Sequence, residues 1–192
     1  MTCTLILTRA SLPDNPWADP GFRRCCAGEV RYFHLFEGVL ATEGFPIHWP
    51  KGQRLVCGHD LNRIGDPAAL PREAGVAGLY QLGRWLHDSD VIVALPHPGI
   101  PAADLPVGPK HLAIALPPTP DEAAMAALRL GVGLAGSGHR ITLLHANPRS
   151  WLREMASFDS AGELLELLTP LHVNLRENLV AIVPSPVIIL NL

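Results

Sequence analysis

Cys57, His59, Asp60 and Arg63 are the residues of this chain best placed by type and spacing to do covalent chemistry. A sulfur attacks as the thiolate, and a free thiol, with a pKa of about 8.5, ionises near neutral pH only if its surroundings lower that value. Arg63 comes within reach if the turn doubles back, and His59 can serve as base or cation. The amides of the turn and of the next helix, expected to start at about Gly75, would add dipoles. Gly58 and Gly65 let the loop fold tightly. Cys57 is thus the candidate nucleophile, with His59 and Arg63 as its activating neighbours. The competing reading is a buried cysteine acting as a small hydrophobe.

Three other cysteines need an account. Cys25 and Cys26 follow Arg23 and Arg24 and precede a segment read as the first helix. A positive helix start and two arginines would favour thiolates there, in a loop expected at the carboxyl edge of the sheet. The plainer reading packs one of the pair inward and leaves the other idle. Cys3 lies in an apolar strand and reads as core. The spacing of the four fits neither a disulfide framework nor a zinc knuckle. Cys57-Gly58-His59-Asp60 offers ligands, but nine scattered histidines supply no closing pair, so no metal is expected. The run Gly131–Gly136 spells part of a dinucleotide fingerprint at the end of a helix, the wrong context, and reads as close helix packing. No organic cofactor is implied.

The elements that must hold these residues alternate between strand and helix, the mark of an open, mostly parallel α/β sheet. A strand at Thr4–Thr8 leads into a long loop, Ala10–Gly28. A helix is expected over Glu29–Thr42, with Val30, Phe33, Phe36, Val39 and Leu40 at helical spacing and His34 on its polar edge. Gly44 stops it, and Phe45–Trp49 reads as a strand. Leu55 and Val56 form a strand into Cys57. A helix carrying Leu82 and Trp85 inward then precedes the strand Asp90–Leu95.

A second half follows the linker 97–109, which carries four prolines and two glycines. His111–Leu116 and His139–His145 read as strands. Between them lies a helix with Thr119 as N-cap, Pro120 at the first position and Glu122 completing a capping box. Its stripe is Met125, Leu128, Val132 and Ala135, and Gly138 is its terminating glycine. Ser150–Ala156 and Ala161–Leu168 read as helices, Leu179–Val183 and Val187–Leu190 as buried strands. Setting Gly44 against Gly138 aligns Ile47 with Ile141, and strand–helix–Gly–strand then occurs twice. Internal duplication and the ordinary repetition of any α/β chain both account for this. The organisation is therefore 1–96, linker 97–109, and 110–192.

Composition narrows the function. Of 192 residues, 48% are apolar and 17% charged, which suggests that a partner chain, most simply another copy in a homo-oligomer, covers some surface. Net charge is −3 with no basic run, against a nucleic-acid partner. No apolar run reaches the roughly 18–20 residues that span a bilayer. Free thiols and the lack of a signal peptide point to the cytoplasm.

Residues 2–96 resemble the DsrE/TusD-like sulfur-relay family. The likeness rests on the strand LILTRA, the segment EVRYFHLFEGVLATEG, the cysteine-bearing strand end LVCGHDLNRIG, and AGVAGLYQLGRWLHDSDVIVALP with its Gly-x-x-x-Leu pattern and Asp-led strand. Residues 109–192 look like a shorter copy without a cysteine. The resemblance implies a flavodoxin-like, DsrE-like α/β fold and small cytoplasmic oligomers, and the second copy would make the chain a tandem pseudo-dimer of two βαβ-based halves. It also implies that Cys57 accepts persulfide sulfur and passes it to a cysteine on a sulfur-carrier protein, a sulfurtransferase-type activity. The tandem length and long first loop depart from the family. They leave a second reading, a non-catalytic assembly module of a larger complex, and a third, small-ligand binding at the strand ends.

Overall fold

The computed structural model describes residues 1–13, 15–42, 44–95, 104–158, 161–177 and 187–191. The chain divides into two compact units, Met1–Gly108 and Pro109–Leu192. Residues 97–103 of the expected linker, and Pro96 before it, lie outside the described residues.

The first unit runs β1 (Thr2–Leu7), α1 (Pro20–Cys25), β2 (Glu29–His34), a 3₁₀ turn (Phe36–Thr42), β3 (Gln53–Cys57), α2 (Gly58–Ile64), β4 (Ala74–Ala77), α3 (Leu79–Asp88) and β5 (Val91–Leu95). Its five strands lie in the order β4-β3-β2-β1-β5, every neighbouring pair parallel. This is an open α/β sheet, consistent with the flavodoxin-like class. The chain winds outward from β1 to β4 and then crosses to the far side for β5.

Cys3 to Leu7 are all buried, as a central parallel strand covered on both faces requires. Cys3, Leu5 and Leu7 share one face with Val30, Tyr32, Val91, Val93 and Leu95, packed under Phe22 of α1 and under Trp49. On the other face Phe33 meets Trp85 of α3 edge-on, ring centroids 6.0 Å apart.

Three expectations are corrected here. Glu29–Thr42 is a strand followed by a 3₁₀ turn, not one helix. Val30, Tyr32 and His34 also fit a period of two, and β-branched and aromatic residues pack well on a pleated surface. Pairing with β1 decides the matter: Glu29 N–H donates to the Met1 carbonyl at 3.0 Å. Gly28 passes so close to that carbonyl that a Cβ would collide with it. Phe45–Trp49 is not a strand: residues 47–49 turn between Pro46 and Pro50, with Ile47 fully exposed. The helix expected from about Gly75 begins at Leu79, because Ala74–Ala77 pairs with β3 as an edge strand.

The second unit comprises β6 (His111–Ala115), α4 (Glu122–Gly136), β7 (Arg140–Leu144), α5 (Pro148–Met155), α6 (Ala161–Leu168), β8 (Asn174–Arg176) and β9 (Val187–Asn191). Its order is β8-β7-β6-β9, again parallel throughout. The cap of α4 is Asp121, whose carboxylate accepts from Ala124 N–H at 2.9 Å, not Thr119. Gly138, at φ +90°, ends the connection in the left-handed region as expected. Gly131 lets α4 lie close on β7: a Cβ there would stand 3.0 Å from Leu143. The short, polar β8 was not anticipated, and the strand expected over Leu179–Val183 lies outside the described residues.

The alignment of Ile47 with Ile141 does not hold, since Ile141 is buried in β7 and Ile47 sits in a turn. The strand matching β7 in sheet position is β2.

Candidate functional site

Cys57 closes β3 and caps α2, so its sulfur lies at the carboxyl end of a parallel strand, where open α/β sheets place their ligands. Gly58 makes the strand-to-helix corner feasible, because a Cβ there would press on Val76 at 2.9 Å. The amides of His59 and Asp60 point at the sulfur and favour its ionised form.

The rest of the environment opposes ionisation. Cys57 is only 3% exposed. Burial is the largest effect and, with the Asp60 carboxylate both repelling a thiolate and accepting the S–H, pushes the thiol up to about 11. This corrects the expected activation. Arg63 stands 4.0 Å from Asp60 Oδ1 and offsets that carboxylate, while His59 is exposed on the outer side of the turn. The group charging the neighbourhood of the sulfur is Asp60, and its sign is negative.

Asp60 is itself buried, and its other oxygen accepts from Phe36 N–H at 2.9 Å. That bond holds Phe36 at φ +51°, an uncommon conformation for an aromatic residue. It also draws the 3₁₀ turn across the rim. Val39 from the turn and Leu61 from α2 pack over Val56. The carboxyl rim is covered rather than open, which is why Cys57 is buried.

Sequence reasoning missed His34. It ends β2 beside Val56 of β3 and is fully buried, not a polar helix edge. Its Nδ1–H donates to the Gly38 carbonyl at 2.8 Å, and Nε2 is buried without a partner among the described residues. Burial is the main reason its pKa falls to about 4, so it stays neutral at physiological pH. The signal in sequence was a histidine in phase with Val30 and Tyr32 on a period of two.

Cys25 and Cys26 stand elsewhere than expected. They end α1 instead of preceding a helix, and α1 runs back along the sheet. Its C-terminus therefore meets the start of β1, at the amino edge, where the helix dipole is negative. Cys26 packs inward and Cys25 is half-buried. Cys3 is core, as expected.

A cavity of about 510 Å³ also opens at the amino ends of β3 and β4, lined by Tyr32, Phe45, Trp49, Lys51, Arg54 and Glu73. Phe45 and Trp49 meet at 5.4 Å between centroids, and the Arg54 guanidinium lies 4.7 Å from the Phe45 centroid. Arg54 is also ion-paired to Glu73.

Fold and site together define an open parallel α/β protein with a cysteine at the end of its third strand. No family model, no curated protein and no solved structure matches the chain. Among the described residues, no helix is long and apolar enough to cross a membrane, and no cluster of three or more His, Cys, Asp or Glu could hold a metal.

Proposed function

We propose that this chain is a DsrE/TusD-like sulfur-relay protein of the cytoplasm, in which Cys57 receives and hands on persulfide sulfur. The observation that carries this reading is the position of Cys57, at the carboxyl end of β3 with the amides of His59 and Asp60 directed at its sulfur. The Cys57 thiolate attacks the outer sulfur of a donor persulfide. The new bond joins Cys57 to that sulfur, the donor's S–S bond breaks, and the donor leaves as a thiolate that takes up a proton. An acceptor cysteine on a carrier protein then attacks the same outer sulfur and frees Cys57. No organic cofactor enters. At rest the site holds a protonated thiol, so transfer between proteins needs a partner that shifts the cover formed by the turn and α2, whereas a small polysulfide needs only the ionised thiol.

Inorganic polysulfide tests this on a chain in which Cys3, Cys25 and Cys26 are alanine. The expected result is one added sulfur on Cys57, slow near neutral pH and faster with each step toward the thiol's pKa of about 11, and absent from Cys57→Ala. A chain that stays folded and gains no sulfur at any pH overturns the relay.

One observation favours a second reading, a non-catalytic assembly module that forms a homo-oligomer. Val76 on edge strand β4 and nearby Tyr80 are 56% and 66% exposed, beside a sulfur that is itself covered. An oligomer that dissociates when both become serine, in a chain inert to polysulfide, supports it.

A further inference from the structure

Cys3 opens the buried face of β1, and Cys26 is the residue that caps the C-terminus of α1. Although 23 positions apart, their sulfurs stand 2.6 Å from each other, well inside the separation two unbonded sulfurs ordinarily keep. Both are buried, at 1% and 3% exposure, whereas Cys25 beside them is half-buried. Approach this close needs both backbones correctly placed, and here the fold places them: β1 by its pairing with β2 and β5, α1 by Phe22, which packs in the same core as Cys3. A disulfide requires sulfurs at about 2.05 Å. The remaining gap is closed by a small side-chain movement.

We propose that Cys3 and Cys26 form an intrachain redox pair, oxidised to a disulfide by a small peroxide such as hydrogen peroxide. The pair is also chemically differentiated. The Cys3 S–H donates to the Cys26 sulfur, which holds Cys26 below the ordinary thiol value and Cys3 above it, with burial opposing the first shift. Cys26 is therefore the attacking sulfur. Its thiolate displaces at the O–O bond, the peroxide is cleaved, Cys26 becomes the sulfenic acid, and the other oxygen leaves as hydroxide that is protonated to water. The Cys3 sulfur then attacks Cys26, the S–O bond breaks, and the proton from Cys3 leaves with that oxygen as a second water. Two thiols and one peroxide give one disulfide and two waters. The product would tie the first strand to the end of α1 and close the long loop between them. The inference is independent of Cys57, which lies at the opposite end of the strands.

Peptide mapping tests it directly. Reduced protein is treated with hydrogen peroxide, free thiols are alkylated under denaturing conditions, and the chain is cut after Arg and Lys. Residues 1–9 and 25–31 then fall on separate peptides. The expected product joins these two with the loss of two hydrogens, and it forms at least about ten times faster in the folded chain than in denaturant, since proximity is what accelerates it. Cys25→Ser must still give the crosslink and Cys26→Ala must not. The Cys25→Ser map decides the question even if the alanine variant fails to fold. A crosslink that disappears with Cys25→Ser, forms equally fast in denaturant, or never forms while peroxide oxidises other cysteines overturns the proposal.

Discussion

The two units trace the same path and differ in chemistry. In each, the first strand is central, the next strands wind outward, and the last returns to the far side. Yet all four cysteines belong to the first unit. The units also cover their sheets differently. α4 spans Glu122–Gly136, and Ala, Leu and Met side chains make up most of what it buries. α1 spans only Pro20–Cys25, so aromatics fill the remaining face: Trp17 lies 5.1 Å from both Phe22 and Trp49, centroid to centroid. A long helix seals one sheet with aliphatic surface, while a short helix and its loops leave corners where thiols and histidine settle. The strand path alone licenses no activity; the strand-end residues carry the difference.

If each unit has its own core, damage should stay local. Leu5 and Leu112 occupy corresponding central strands and are both fully buried. Leu→Ala at either should cost about 2–5 kcal/mol. Hydrogen exchange should show Leu5→Ala releasing amides of β1 to β5 while β6 and β7 stay protected, and Leu112→Ala doing the reverse. Loss of protection in both sheets from one substitution would break the comparison.

His34 makes the stability of the first unit sensitive to acid. Its pKa is about 4 in the folded chain against an ordinary 6.5. Between those values the unfolded chain binds more protons, so stability falls as pH drops through this window and levels off below it. The full effect is about 3 kcal/mol. His34→Gln should flatten the dependence of unfolding free energy on pH between 6.5 and 4. An unchanged slope would mean that another group sets it. At the matching position after β7, His145 is half-exposed, and its Nδ1 accepts from Asn147 N–H at 3.0 Å.

The reactivity of Cys57 sharpens the contrast within the first unit. Asp60→Asn removes the negative charge but keeps an acceptor for Phe36 N–H. The Cys57 pKa should drop from about 11, yet stay above the ordinary thiol value because burial is the larger cause. Alkylation by iodoacetamide, followed against pH, should shift its midpoint downward and speed up roughly threefold at a fixed mildly alkaline pH. A midpoint that does not move would show that Asp60 does not govern the sulfur.

Much of this was legible before any coordinates. The alternation of elements gave the open parallel sheet, and Leu55-Val56-Cys57 gave the strand end. Ala161–Leu168 and Gly138 fell where expected. The segment Glu29–Thr42 did not, because its apolar residues fit both periods and pairing with β1 chose between them. The sign of the field at Cys57 was also out of reach. Arg63 and Asp60 both neighbour the cysteine in sequence, and only the fold tells that the guanidinium answers the carboxylate while the carboxylate faces the thiol. The approach of Cys3 to Cys26 is a long-range contact created by α1, a helix no periodicity announced.

The smallest expected effect separates the two helices that follow the first strands. Asp19 caps α1, accepting from Phe22 N–H at 2.7 Å, and Asp121 caps α4 in the same way, accepting from Ala124 N–H at 2.9 Å. Replacing either by alanine should cost about 1 kcal/mol. The consequences should still differ. α4 is held by burial along most of its length, so Asp121→Ala should lower the melting temperature by about 4–8 °C, if the units melt separately, and do little else. α1 buries only Phe22, so its cap is a large share of what keeps it formed. Asp19→Ala should fray α1 and loosen Cys26, its own C-cap residue, from Cys3. Alkylation of Cys26 in the reduced, folded chain should then accelerate, and its crosslinking to Cys3 by peroxide should slow. Equal thiol reactivity in the two variants would mean that the aromatic cluster, not the cap, holds the end of α1 against the sheet.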